Sequence, residues 1–170
     1  MKTEGTVLQV RAAVYKDIDA ISEVLATSWK SAYRGIVNDD YLDRLKNSHW
    51  IDFLSAGLND GNIFVRVLED DQHIAGVAIL SPEKMNIVNL VSFYLLPDKI
   101  GRGFGHAFYE SIQAELIGKG FSKCMLDVLE NNERAIRFYE AHGFVKTNKT
   151  IMATLGNCEY PCNVYEKQFI

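Results

Sequence analysis

From Tyr15 to Tyr33 the apolar residues Ile18, Ile21, Leu25, Trp29 and Ala32 recur every three or four positions, which predicts an amphipathic helix. The segment before it, TVLQVRAA, reads as a strand. NDDYLDRLKNSHWIDFL returns to helical spacing as a broken second helical region, with Asn38 placed to cap it. The pattern then turns β-like in NIFVRVLED, HIAGVAILS and NIVNLVSFYLLP. The first two are joined by the polar EDDQ, a hairpin signal, and the third ends at Pro97.

Phe104, Phe108, Ile112 and Leu116 restore an i, i+4 stripe that Gly118 and Gly120 stop. FSKCMLDVL is a further strand. NNERAIRFYEAHGF is a short helix, capped by Asn131 or Asn132 and ended by Gly143. Two strands close the chain, at about 145–153 and 159–169. The order β-α-α-β-β-β-α-β-α-β-β predicts an α/β domain with a mixed sheet, because several neighbouring strands are joined by short hairpins. No linker or internal repeat divides residues 1–170, so we expect one domain.

Composition narrows the function. Hydrophobic residues make up 48% and charged residues 24%, enough for an ordinary core. The net charge of −4 argues against generic nucleic-acid binding. No apolar stretch reads as a signal peptide or membrane span. Cys124, Cys158 and Cys162 show no disulfide or zinc spacing and read as free thiols, so a cytoplasmic location is expected. No metal site is expected. His49, His73, His106 and His142 have no partners visible in the sequence and read as structural.

DKIGRGFGHAFYESIQ carries the chemistry. Gly101, Gly103 and Gly105 stand just before a helix, although each weakens a helix by about 1 kcal/mol relative to Ala. Either they make a turn, or they bare a row of backbone N–H groups at the positive end of the helix dipole for an anion such as diphosphate. A dinucleotide fingerprint fails, because Phe104, Gly105 and His106 follow where its spacing is needed. A P-loop fails because no Gly-Lys-Ser/Thr follows.

FYLLPDKIGRGFG and NNERAIRFYEAHGF together closely resemble the two signatures of the GNAT superfamily of acetyl-CoA-dependent N-acetyltransferases. The first is Arg/Gln-x-x-Gly-x-Gly/Ala a few residues after a strand ending in Pro. Gly103 and Gly105 meet it behind Pro97, while Ile100 departs from its Arg/Gln. The second is met at Asn132, Ala135, Phe138, Tyr139, Glu140, Gly143 and Phe144.

The resemblance implies a mostly antiparallel sheet of about seven strands, helices on both faces and splayed central strands. It also implies acetyl-CoA as co-substrate, with its diphosphate on Ile100, Gly101, Arg102, Gly103, Phe104 and Gly105. Its pantetheine arm would lie against the backbones of Phe93, Tyr94 and Leu95 and touch Asn132, which otherwise simply caps a helix. Tyr139 would donate to the departing thiolate.

Asp127, the one carboxylate in CMLDVL, would be the general base, or else a structural or exposed strand residue. Trp29, Tyr33 and Arg34 would wall the acceptor pocket. Arg34 would either bind an acidic group on the substrate or serve as an ordinary surface residue. The implied function is transfer of an acetyl group to the amine of a small molecule or protein N-terminus by direct attack. A non-catalytic acyl-CoA sensor of the same fold is the alternative. A homodimer is compatible with either, and neither implies a nucleic-acid or membrane partner.

Overall fold

Among the described residues the chain forms eight strands, one more than expected because the two-residue β1 carries no pattern, and five α-helices, in the order β1 (Lys2–Thr3), β2 (Thr6–Ala12), α1 (Ile18–Ala32), α2 (Asp39–Arg44), α3 (Ile51–Asp60), β3 (Phe64–Asp70), β4 (His73–Pro82), β5 (Ile87–Leu95), α4 (Phe104–Gly118), β6 (Lys123–Leu129), α5 (Glu133–Ala141), β7 (Val145–Leu155) and β8 (Cys158–Gln168). The computed structural model describes residues 2–3 and 6–169. Met1, Glu4, Gly5 and Ile170 of the expected 1–170 domain lie outside the described residues. EDDQ is indeed a hairpin: Asp70 pairs with His73, and Asp71 and Gln72 both take positive φ, as a tight two-residue turn requires. Asn38 caps α2 by accepting the Tyr41 N–H at 3.0 Å.

The strands form one sheet in the order β1-β2-β3-β4-β5-β6-β8-β7. All neighbours are antiparallel except β5 and β6. α4 and α5 cover one face, where Phe104, Phe108, Ile112 and Leu116 pack on Leu68, Leu80, Val88 and Leu126. α1 and α3 cover the other, with Ile21, Leu25 and Leu54 against Val65, Val67, Val77 and Ile79. β4 lies between both layers, which is why Ala75 to Leu80 is apolar on both faces.

The parallel pair is short. β5 meets β6 only through Ile87, Val88 and Asn89, opposite Lys123, Cys124 and Met125, although both strands run further. The reason lies one step along β5. Ile79 pairs with Ser92 and Leu80 with Leu90, leaving Val91 without a partner on β4. This bulge adds a residue, raises the local twist and turns the rest of β5 away. It also shifts side-chain parity: Val88 and Leu90, then Phe93 and Leu95, all pack toward α4.

A polar bracket ties β2 to the start of α1. Arg11 donates to both oxygens of Asp17 at 2.7 and 3.1 Å and to Glu69 at 2.6 Å, while the Val14 N–H donates to Asp17 at 2.8 Å. Asp17 is buried, and the Arg11 guanidinium holds its carboxyl below the usual carboxylate range. This stabilisation is present above the unfolded-state value of about 4 and is lost as pH falls through the lower folded value. Arg11→Met leaves Asp17 buried without its counter-charge. Breaking a fully buried pair costs 3–5 kcal/mol, and Arg11 keeps 25% of its side chain in solvent, so we expect about 2 kcal/mol. Calorimetry should show a Tm lower by about 4–8 °C at neutral pH, with the deficit shrinking toward pH 3.

Candidate active site

Where β5 leaves β6, the sheet opens into two cavities that share a wall. Leu96 donates its N–H to the Ala75 carbonyl at 2.8 Å, which fixes the phase of the β4–β5 ladder. By alternation Tyr94 also bonds toward β4, whereas Phe93 and Leu95 turn their N–H and C=O groups into the gap. One of these carbonyls is covered: Ser28 Oγ donates to Leu95 O at 3.0 Å. Of the three residues expected to offer backbone groups, Phe93 and Leu95 do so, and Tyr94 offers its ring and phenol.

The first cavity, about 330 Å³, runs between the start of α4 and α5. Phe93, Tyr94, Leu95, Ile100, Gly101, Gly103, Gly105, Asn132 and Tyr139 line it, as expected from the sequence. Arg102 and Phe104 do not. Phe104 is buried in the core, and the Arg102 guanidinium sits 5.2 Å from the centre of its ring. Gly101 and Gly103 have φ of 78° and 81°, where a side chain strains the backbone. Their turn ends at α4, whose first N–H groups receive no side-chain cap and open onto the cleft. A Cβ built on Gly101 or Gly103 meets nothing within 4 Å, so these positions border open space. Hydrogen-bonding backbone on one wall and uncapped helical N–H groups at the end suit an extended amide-bearing chain that finishes in a diphosphate.

The second cavity, about 150 Å³, lies on the other side of Tyr139. It is lined by Trp29, Tyr33, Tyr94, Asp127, Leu129 and Cys162, among others. Both cavities include Phe93, Tyr94, Asn132, Ala135 and Tyr139. Tyr139 stands seven residues beyond Asn132, which caps α5 by accepting the Ala135 N–H at 3.3 Å. The Tyr139 hydroxyl makes no hydrogen bond to other described residues, and burial pushes its pKa far above the ordinary phenol value. Asp127 faces solvent through the cavity, yet the surrounding walls desolvate it and raise its carboxyl. Tyr33 and Tyr94 share a hydroxyl–hydroxyl bond of 2.5 Å, and burial pushes Tyr33 up to about 12.

Residues 22–144 match the profile of the Acetyltransferase (GNAT) family. The chain belongs to that family. An uncharacterized N-acetyltransferase of Bacillus subtilis, YuaI, is 30% identical over 138 residues, 78% of each chain. Spermidine N(1)-acetyltransferase of Thermoplasma acidophilum is 22% identical over 81% of this chain and 88% of its own. Among solved structures, the PaiA N-acetyltransferase of T. acidophilum, in complex with coenzyme A, superposes with a TM-score of 0.76 at 21% identity, covering 96% of this chain and 99% of the other. YncA of Salmonella typhimurium, with acetyl-CoA, gives 0.70 at 20% identity over 95% and 93%. This GNAT chain is an N-acetyltransferase, and the α/β fold with helices on both faces is the family fold.

Two expectations need correction. Arg34 does not line either cavity: it pairs with Asp43 at 2.9 Å and Asp39 at 3.3 Å on the exposed surface. His106 and His142 do have arranged partners, for they bond to each other at 2.9 Å and both line the first cavity. Ser28, Ser31, Arg134 and Phe138 are further lining residues not anticipated. For Ser28 the available signal was a serine on the apolar face of α1.

Gly103→Glu places a carboxylate where α4 offers its N–H groups, in space that admits the side chain but at a φ that strains it by about 1–2 kcal/mol. Isothermal titration should show coenzyme A bound about 100-fold more weakly, with Tm down by no more than about 8 °C. Unchanged affinity would assign the glycines to the turn alone.

Proposed function

We propose that this GNAT enzyme transfers the acetyl group of acetyl-CoA to the primary amine of a small cationic acceptor, by direct attack. One observation carries the acceptor class: Asp127 is the only charged residue among those lining the second cavity, and Trp29, Tyr33, Tyr94 and Tyr139 surround it with aromatic rings. A carboxylate and aromatic faces attract an ammonium group, and they disfavour an anionic one. The volume matches that of an apolar cavity able to hold benzene, enough for an alkylamine head. The spermidine-acetylating relative is consistent with this class.

Acetyl-CoA supplies the acetyl group as a thioester, and the first cavity fits it by the backbone and glycine geometry above. Asp127 takes a proton from the acceptor's ammonium, directly or through water, freeing the nitrogen lone pair. The Phe93 and Leu95 N–H groups lie on the gap side, placed to donate to the carbonyl oxygen as it gains charge. A donor of this kind is worth about 3–4 kcal/mol. The C–N bond forms, the C–S bond breaks, and Tyr139 passes its proton to the sulfur that leaves; the second proton, shed by the nitrogen as it becomes an amide, restores the phenol through water. A phenol raised by burial is always protonated, so it is a hydrogen-bond donor at every working pH.

Three measurements test this reading. Thiol release should be strong with aliphatic mono-, di- and polyamines and weak with amines that carry a carboxylate near the nitrogen. The reverse order would sink the acceptor class. Tyr139→Phe should lower kcat by about 10²–10⁴ while leaving coenzyme A affinity and Tm close to wild type. Asp127→Asn should cost most near neutral pH, where the acceptor is an ammonium and Asp127 an anion. The loss should fade as pH nears the amine's own value of about 10. In the wild type the acid limb should fall above the ordinary carboxylate range, because burial raises Asp127. A pH-independent loss would make Asp127 a positioning residue.

A further inference from the structure

At the outer end of the cofactor cleft, α4 and α5 bring three ligating side chains together. His106 and Glu110 lie one turn apart on α4, and so on one face, while His142 follows the last residue of α5. One ligand atom from each falls within 4.8 Å of the others. His142 is held on three sides: its Nδ1 bonds to the Phe138 carbonyl at 2.7 Å, and its ring packs 4.2 Å from Phe138 and 4.8 Å from Tyr109. A carbonyl only accepts, so Nδ1 carries a proton, and the tautomer that can bind a metal presents its lone pair at Nε2. That lone pair points at His106 Nδ1, 2.9 Å away. Backbone-anchored Nδ1 with a free Nε2 is how a metal-binding histidine is ordinarily oriented.

We propose that His106, Glu110 and His142 form a binding site for a divalent transition-metal ion of the zinc class, linking the first turn of α4 to the end of α5. Two imidazoles and a carboxylate suit zinc, cobalt, nickel or copper and select against magnesium and calcium. Metal–nitrogen bonds of 2.0–2.1 Å in a tetrahedron put the two nitrogens about 3.3 Å apart. The pair must open by only a few tenths of an ångström, which exposed His106 can do by rotating. The proton between the rings moves to the outer nitrogen of His106, and the metal takes its place. Three protein ligands leave a fourth position for water or another donor. The acetyl-transfer chemistry uses none of the three, so the site is independent of the acceptor reading.

The test uses the full, untagged chain without coenzyme A, whose thiol would bind the probe itself. Cobalt(II) titration should give one equivalent bound, with the intense visible bands of a four-coordinate ion. His142→Phe keeps an aromatic ring against Phe138 and Tyr109 and removes the ligand nitrogen. His106→Gln and Glu110→Gln remove the others from the surface. Each should weaken cobalt binding by about 10-fold or more, and zinc should raise the Tm of the wild type but not of His142→Phe. Cobalt binding that is unchanged in all three variants, or absent from the wild type, overturns the proposal.

Discussion

One unpaired residue, Val91, governs the architecture of the site. With a regular ladder, β5 would continue beside β6 to its end, and the backbone of Phe93 and Leu95 would spend its hydrogen bonds on the sheet. The bulge ends that pairing after Asn89. An interior strand then carries unpaired N–H and C=O groups, an arrangement that is unfavourable unless water or a ligand completes it. Ser28 relieves one carbonyl. The others remain available, so the protein carries a partly unmade sheet that an extended amide chain can finish. On the proposed reading, cofactor affinity at this wall would draw on the fold's own unsatisfied hydrogen-bonding capacity, with little demand on side-chain identity.

Electrostatics follow the same division. The chain is acidic overall, with net charge −4, yet the cleft proposed for coenzyme A would have to take a polyanion. Uncapped N–H groups of α4 provide positive potential without basic side chains, and Arg134 adds a charge at the rim. On the far side of Tyr139 the balance reverses, since Asp127 is the only charged lining residue there. Desolvation raises both Asp127 and Tyr139, with opposite consequences. For the carboxylate it raises proton affinity, the direction that the proposed role as a base calls for. For the phenol it keeps the resting hydroxyl protonated and preserves the donor.

Much of this was legible in the sequence, because periodicity reports burial. Apart from the two-residue β1, strands and helices were placed within a few residues, and the glycine loop and α5 cap followed from local chemistry. The bulge was harder to read. Its trace is the parity change from Val88 and Leu90 to Phe93 and Leu95, and in a strand whose far half is only half-buried on either face such a change carries little contrast. The histidine pair was invisible for a different reason: 36 residues separate its members, and only the packing of α4 on α5 brings them together. Arg34 was misplaced because its position after α1 is local information, while its pairing with Asp39 and Asp43 depends on how the chain turns into α2.

Asn132 shows how closely capping and chemistry are joined here. As a cap it sets the first turn of α5, accepting the Ala135 N–H, and it is itself buried. Seven residues later, two turns along the same helical face, stands Tyr139. Ring contacts hold that tyrosine from two directions, with Phe138 at 5.6 Å and Phe144 at 5.6 Å, both edge to face. Gly143, at positive φ, lets the chain turn back so that Phe144 reaches it. The phenol oxygen is therefore positioned by a helix fixed at both ends, yet no other described residue claims its hydrogen bond. Such a hydroxyl, rigidly placed at the wall between two cavities, would lose little freedom in the donation proposed above.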